Sequence, residues 1–267
     1  MKKLYIIPDY RDFAPFLELA EEYDACFEYN DFYEPALLDD EKKCQERIDF
    51  YRATGRDTAN DTMHGAFFDV TVHSDDSLIR EVSVKRVRQS MEVAKALGLR
   101  GVVFHTGTIP NFKGDYYSNN WVSRNKQFWT ELCREYAGIE VFMENMFDMN
   151  PELLLRLGQE MREVKNFGIC LDYAHARIFG GKPEEWLEQL APFVRHMHIN
   201  DNDGEWDLHN AVGDGVVDWQ VFDKGIRQKG IVPTVLIETR SIEKQRESLA
   251  YMQEYSIYPF PVKRGGQ

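Results

Sequence analysis

The sequence predicts a (β/α)8 barrel of the α/β class, built as one domain over residues 1–267. Three observations carry that expectation. Eight short apolar segments alternate with helical stretches, and no linker-like or low-complexity tract interrupts them. No glycine-rich phosphate fingerprint follows the first segment, as an open doubly wound sheet would carry. Closing eight parallel strands with their helices takes about 250 residues, and the chain has 267.

Each element has its own signal. Leu4 to Ile7 forms the first strand, and FAPFLELAEEY the helix that leads to the second, Ala25 to Tyr29. Met63 to Phe68 is the third. The stretch SLIREVSVKRVRQSMEVAKALGL repeats apolar residues at spacings of three and four, ends in a glycine stop and feeds the fourth strand, Gly101 to His105. Ile139 to Glu144, Gly168 to Asp172, Arg195 to Ile199 and Thr234 to Glu238 complete the set. Alternation within RHMHI sets His196 and His198 on one face and Met197 on the other. Asp218, before WQVFDKGIRQ, reads as the N-cap of the seventh helix.

Composition bounds the function. With 43% hydrophobic residues the chain can bury a large core, and no apolar run reaches membrane length. The N-terminal MKKLYIIPDY loses its apolar character at Pro8 and Asp9, too early for a signal peptide. Four scattered cysteines without a C-x-x-C pair fit buried thiols in a reducing cytoplasm. The net charge of -13 opposes loose attraction to nucleic acid or anionic membrane. Oligomeric state is left open.

A barrel gathers functional residues at the C-terminal ends of its strands. Those ends carry His64, His105, Glu144, Asp172 with His175 three residues on, His198 and Glu238. Beyond His198, Asp207 and His209 stand two apart in a loop bounded by Gly213 and Gly215. Singly, each would read as a helix cap or a satisfied polar residue. Repeated at successive strand ends, imidazoles and carboxylates with almost no thiol suit zinc, manganese, iron or cobalt. Among the remaining residues, Glu28 reads as a salt-bridge partner within the rim, His73 as a surface residue near an N-cap, and His196 as a hydrogen-bonded group beneath His198. Arg240, two residues after Glu238, faces the same way and could hold a substrate phosphate.

The motifs MHGAFFD, VVFHTG, FMEN, GICLDYAHA, HMHINDNDG followed by DLHNAVGDGVVDW, and VLIET resemble the xylose isomerase-like TIM-barrel superfamily, which includes sugar isomerases and epimerases and endonuclease IV. The resemblance spans nearly the whole chain. Its ketose epimerases imply one divalent metal on Glu144, Asp172, His198 and Glu238. Endonuclease IV implies three zinc ions, with His64, His105, His175, Asp207 and His209 as further ligands. Asn150 and Gly204 fall about where the epimerases carry a second glutamate and an arginine. The stretch AFFDVTVHSDD departs from the run that endonuclease IV carries there, and the loop NDFYEPALLDDEKK is acidic where a DNA clamp favours basic residues.

The leading expectation is a metal-dependent isomerase or epimerase of a sugar, sugar phosphate or polyol, working through a metal-stabilised enediolate. Glu144 and Glu238 would be the acid/base pair and His175 would hold a substrate oxygen. His64, His105, His209 and Arg240 would line the substrate, under a lid formed by YYSNNW. The alternatives are an endonuclease IV-like multi-zinc phosphodiesterase and a metal-binding protein without turnover. Against the nuclease, the rim loops offer few cations: Lys42, Lys43, Lys113 and Arg177.

Overall fold

The computed structural model describes residues 3–67, 69–112 and 114–263. Its strands are β1 (Leu4–Ile6), β2 (Cys26–Tyr29), β3 (Thr62–His64), β4 (Gly101–His105), β5 (Glu140–Glu144), β6 (Phe167–Asp172), β7 (Val194–Ile199) and β8 (Thr234–Ile237). They pair in parallel in chain order, and β8 closes the barrel on β1. Between them run α1 (Ala14–Glu22), α2 (Pro35–Leu38), α3 (Glu41–Ala53), α4 (Ser77–Leu97), α5 (Asp115–Glu135), α6 (Glu152–Met161), α7 (Tyr173–Phe179), α8 (Pro183–Leu190), α9 (Trp219–Lys229) and α10 (Ile242–Glu254).

Alternation along each strand divides two cores. In β4, Val102 and Phe104 join the large apolar layer beneath the helices, whereas Val103 turns inward to meet Phe142 and Cys170. Tyr5, Ile7, Cys26 and Leu236 form a second small apolar cluster. One end of the interior is tied by Arg100, which donates to the Tyr5 hydroxyl (3.0 Å) and to Glu140 Oε2 (3.1 Å). Above this tie the filling turns polar. Glu28, Thr62, His196 and Thr234 are all buried there, where a polar group is tolerated only with partners.

Several bounds differ from the sequence reading. β3 stops at His64 because Gly65 N still donates to Val103 O (2.9 Å) but Ala66 N turns to Ser90 Oγ (3.0 Å), taking the chain off the ladder. Phe68, expected to end that strand, lies outside the described residues, as does Lys113. The YYSNNW segment is not a lid: it forms the first turns of α5, and Trp121 is fully buried with Nε1 donating to Thr106 O (3.2 Å). The acidic stretch after β2 is largely helical, comprising α2 and the start of α3, and Arg86 grips Asp39 at 2.7 Å. His73 is buried rather than exposed, because α5 lays Trp121 beside it at 5.9 Å. Burial, with Arg124 nearby, lowers its pKa to about 4.

Asp61 fixes the approach to β3. It is buried and accepts from Phe27 N (2.9 Å), the Tyr29 hydroxyl (3.0 Å) and Arg56 Nε (3.1 Å). Asp61→Ala strands all of these donors, a cost of about 2–4 kcal/mol. Tm should fall by roughly 5–10 °C in a thermal melt followed by circular dichroism, and an unchanged melt would refute this account.

Candidate metal centre

The barrel converges on Glu144, the last residue of β5. Its carboxylate is fully buried and faces two ways. Oε2 lies 3.3 Å from His64 Nε2 and 3.5 Å from His105 Nε2, at the ends of β3 and β4. Oε1 lies 3.2 Å from His198 Nδ1 and 3.6 Å from His175 Nδ1. Glu238 Oε2, just past β8, approaches His198 Nδ1 at 3.5 Å. Asp172 ends β6; its Oδ1 accepts from His175 N (2.6 Å) at the start of α7, leaving Oδ2 without a hydrogen bond. Asn145 holds that strand end by donating to Asp172 O (2.9 Å) and accepting from Asp172 N (3.0 Å).

Second ring nitrogens fix most of these imidazoles. His64 Nδ1 contacts Gly65 O (2.9 Å), His175 Nδ1 contacts Asn145 O (3.0 Å) and His209 Nδ1 contacts Glu238 O (2.7 Å). A carbonyl only accepts, so each Nδ1 carries a hydrogen, and once the ring is neutral each Nε2 offers its lone pair to the site. His198 differs: its Nε2 lies 3.0 Å from Glu28 Oε1, an ion-pair approach in which neither atom makes a hydrogen bond. Glu28 Oε2 in turn accepts from Thr62 Oγ1 (2.7 Å) and meets His196 Nε2 (3.1 Å), while His196 Nδ1 contacts Thr234 Oγ1 (2.6 Å). Histidines with one nitrogen tied and the other aimed inward are the arrangement that ligand imidazoles adopt.

Asp207 and His209 come from the loop after β7, and one buried side chain shapes it. Asp201 accepts from Gly213 N (3.0 Å), Val217 N (3.1 Å) and Trp219 Nε1 (2.7 Å). Gly215 passes so close that an added Cβ would sit 2.2 Å from Asp201 Oδ1. His209 itself takes a left-handed φ of 46°. The result brings Asp207 Oδ2 to 3.1 Å from His209 Nε2 and 3.5 Å from His175 Nε2.

Charge is strongly coupled across this cluster. Burial raises Glu144, but His198 and His105 outweigh it and hold the carboxyl well below its ordinary value. Burial alone would lower His198, yet its acidic neighbours, including Glu144, Glu28 and Glu238, raise it well above. Asp172 is raised by burial, with Glu238 and Glu144 adding to the shift. Glu238 is brought down to about 2, chiefly because His198 overcomes its burial. His209, half-buried, is raised to about 9 because Asp207 and Glu238 outweigh its desolvation.

The side chains form three donor sets: His64, His105 and Glu144; Glu144, Asp172, His198 and Glu238; and His175, Asp207 and His209. Within each set the donor atoms lie within 4.8 Å of one another. Both Glu144 oxygens, Asp172 Oδ2, Glu238 Oε2, His175 Nε2 and His198 Nδ1 are buried without a hydrogen-bond partner. Buried lone pairs turned towards each other fit a cation and little else, and the nitrogen and oxygen donors suit a divalent transition metal. Cys170, His196 and His198 also approach one another, but both imidazoles there face Glu28.

Residues 22–255 match the family model described as xylose isomerase-like TIM barrel. The chain belongs to that family. Its relatives include the uncharacterized protein MJ1311 of Methanocaldococcus jannaschii, 30% identical over 72% of this chain and 69% of the relative. A probable endonuclease 4 of Symbiobacterium thermophilum is 25% identical over 48% of this chain and 50% of that protein. Two solved barrels superpose with a TM-score of 0.73 at 24% identity: the TTHB071 protein of Thermus thermophilus soaked with ZnCl2, covering 94% of this chain and 97% of that one, and a D-tagatose 3-epimerase-like protein, covering 95% and 97%. These two likenesses show the xylose isomerase-like fold.

All nine sequence-derived ligand candidates meet in these sets. Arg240 instead stands exposed on the cleft wall. Sequence reasoning underrated Glu28, placing it in the rim when it lies wholly inside the barrel. It passed over Asn145 and Asp201, although the FMEN and NDND runs hold them. Period-two alternation could have found Glu28, since it shares an inward face with Cys26.

The wiring of the histidines is open to two tests. Glu28→Gln removes the anion that steadies His198, and zinc affinity should fall about 10–100-fold in chelator competition; unaltered affinity would show that the contact is only packing. His209, raised to about 9, still holds its extra proton at pH 7 in the metal-free protein, and acidic neighbours push His175 and His198 in the same direction. Zinc must displace such protons, so binding should release them and strengthen as pH rises towards about 9, where His209 loses its own. Calorimetry in two buffers of different ionisation enthalpy measures the release, and zero net release would contradict it.

Proposed function

We propose that this protein hydrolyses a phosphoester bond of a small substrate at a multinuclear cluster of divalent transition-metal ions. The observation that supports this reading is Glu144, whose two oxygens serve two different donor sets while His175, Asp207 and His209 make a third beside them. A single-ion isomerase has no need for His64, His105 and His209 each to be oriented by second contacts or by a shared carboxylate. When bound, clustered divalent ions supply an activated water and neutralise the oxygens of a phosphoryl group.

The chain's own groups do the rest. Glu144 keeps the two sets that share it in register, and Glu28 holds His198 in one orientation. The buried walls exclude bulk water, which strengthens every charge interaction inside. The cleft lined by His64, His105, His175, Asp207, His209 and Glu238 is about 190 Å³ and is bordered by Tyr33, Phe67 and Met146, a space for a small molecule. Duplex DNA would need cations along the rim, yet Lys43 is occupied by Asp40 (2.9 Å) and Lys42 by Glu46 (3.6 Å), and the chain carries a net charge of -13.

The second reading is the sugar isomerase or epimerase, and a specific observation favours it: Glu144, Asp172, His198 and Glu238 alone form a complete four-donor set. The epimerase-like neighbour carries the same fold. In that case Glu144 and Glu238 would flank the substrate carbon, one removing a proton and the other returning one.

Zinc-loaded protein should cleave bis(p-nitrophenyl) phosphate or p-nitrophenyl phosphate, with Glu144→Gln losing at least about a thousandfold in rate. Anomalous scattering from the same preparation should give more than one metal peak. One peak, no phosphoester cleavage and deuterium exchange into a ketose or sugar phosphate in heavy water would replace this proposal with the isomerase.

A further inference from the structure

Beside the metal cleft lies a second cavity of about 360 Å³, reaching from the end of β1 to the loop after β2. The two share the lining residues Ile7, Asn30, Tyr33 and Arg240, so the side cavity adjoins the space beside the donor sets. Its volume suits a short arm carrying several heavy atoms.

The charges on this wall are unevenly committed. Asp9 is paired with Arg11 at 2.7 Å. Asp31 is paired with Arg47 at 3.2 Å and also accepts from the Tyr51 hydroxyl, while Arg47 lies 3.1 Å from the centre of the Tyr10 ring. Glu34 is exposed and borders the side cavity alone. Arg240 borders both cavities, and among the described residues no hydrogen bond or ion pair holds it. At the same junction Asn30 Oδ1 is buried without a partner. A free guanidinium fork recognises a carboxylate or phosphate in a bidentate manner, and the unpartnered amide oxygen accepts from a hydroxyl.

We propose that this side cavity is a substrate subsite, in which Arg240 grips a second anionic group on a short hydroxylated arm while the phosphoryl end sits at the donor sets. The inference rests on the hydrolase reading and narrows it to small phosphoesters that carry a second anionic group. The second anion is a carboxylate or another phosphate, chemistries that share the same fork.

Non-hydrolysable probes separate these cases. Propylphosphonate, 3-phosphonopropionate and propane-1,3-bisphosphonate are titrated into zinc-loaded protein by calorimetry, with metal content checked after each run. One dianionic probe should bind at least about tenfold more tightly than propylphosphonate, and the tighter of the two identifies the second anion. Arg240→Gln should bring the ratio close to one, while Arg240→Lys, which keeps the charge without the fork, should retain part of it. Equal binding of all three probes, or a preference that survives Arg240→Gln, overturns the subsite and leaves the hydrolase reading standing. Failure of every probe to bind overturns both.

Discussion

The structure is arranged around a carboxylate that cannot be left as it is. Glu144 sits at the centre of the strand ends with no access to water and no hydrogen bond to either oxygen. Four imidazoles, those of His64, His105, His175 and His198, crowd it from two sides. An isolated charge at this depth is costly, and a half-satisfied polar network is worse than an apolar one. Such a knot survives in a folded chain when something outside the chain completes it. The closed barrel supplies the rigidity that keeps these groups facing each other, because every strand end is fixed by neighbours on both sides.

Much of this was legible before any coordinates. The donors at strand ends were found because a barrel brings all C-terminal ends to one face, so a linear tally of strand ends is already a map of the cleft. What stayed hidden depends on contacts between distant segments. Glu28 meets His196 and His198 across 168 and 170 positions of sequence respectively, and no local pattern announces that. The YYSNNW run looked like a loop because its polar residues lack apolar periodicity, yet Trp121 anchors it as helix by burying its indole under the loop after β4. His73 was misplaced for the same reason: its burial comes from α5, some fifty residues further on.

The acidic balance also takes a different meaning. Glu28, Glu144, Asp172 and Glu238 are all buried inside the barrel, so part of the charge of -13 is internal and says little about the outer surface. The rim has its own logic, in which most side chains are paired and Arg240 is held in reserve.

The loop pinned by Asp201 is built independently of the strands it serves. Its turns are set by one carboxylate, two glycines and the Trp219 indole, and it delivers Asp207 and His209 without borrowing a residue from any strand. Two of the three donors of the third set, Asp207 and His209, therefore travel as one module in an evolutionary sense, while His175 stays with α7. Exchange of this single segment could subtract or redesign one coordination site while the barrel and the remaining sets persist, a route by which one ancestral scaffold can pass between metal counts, and between reactions, without refolding.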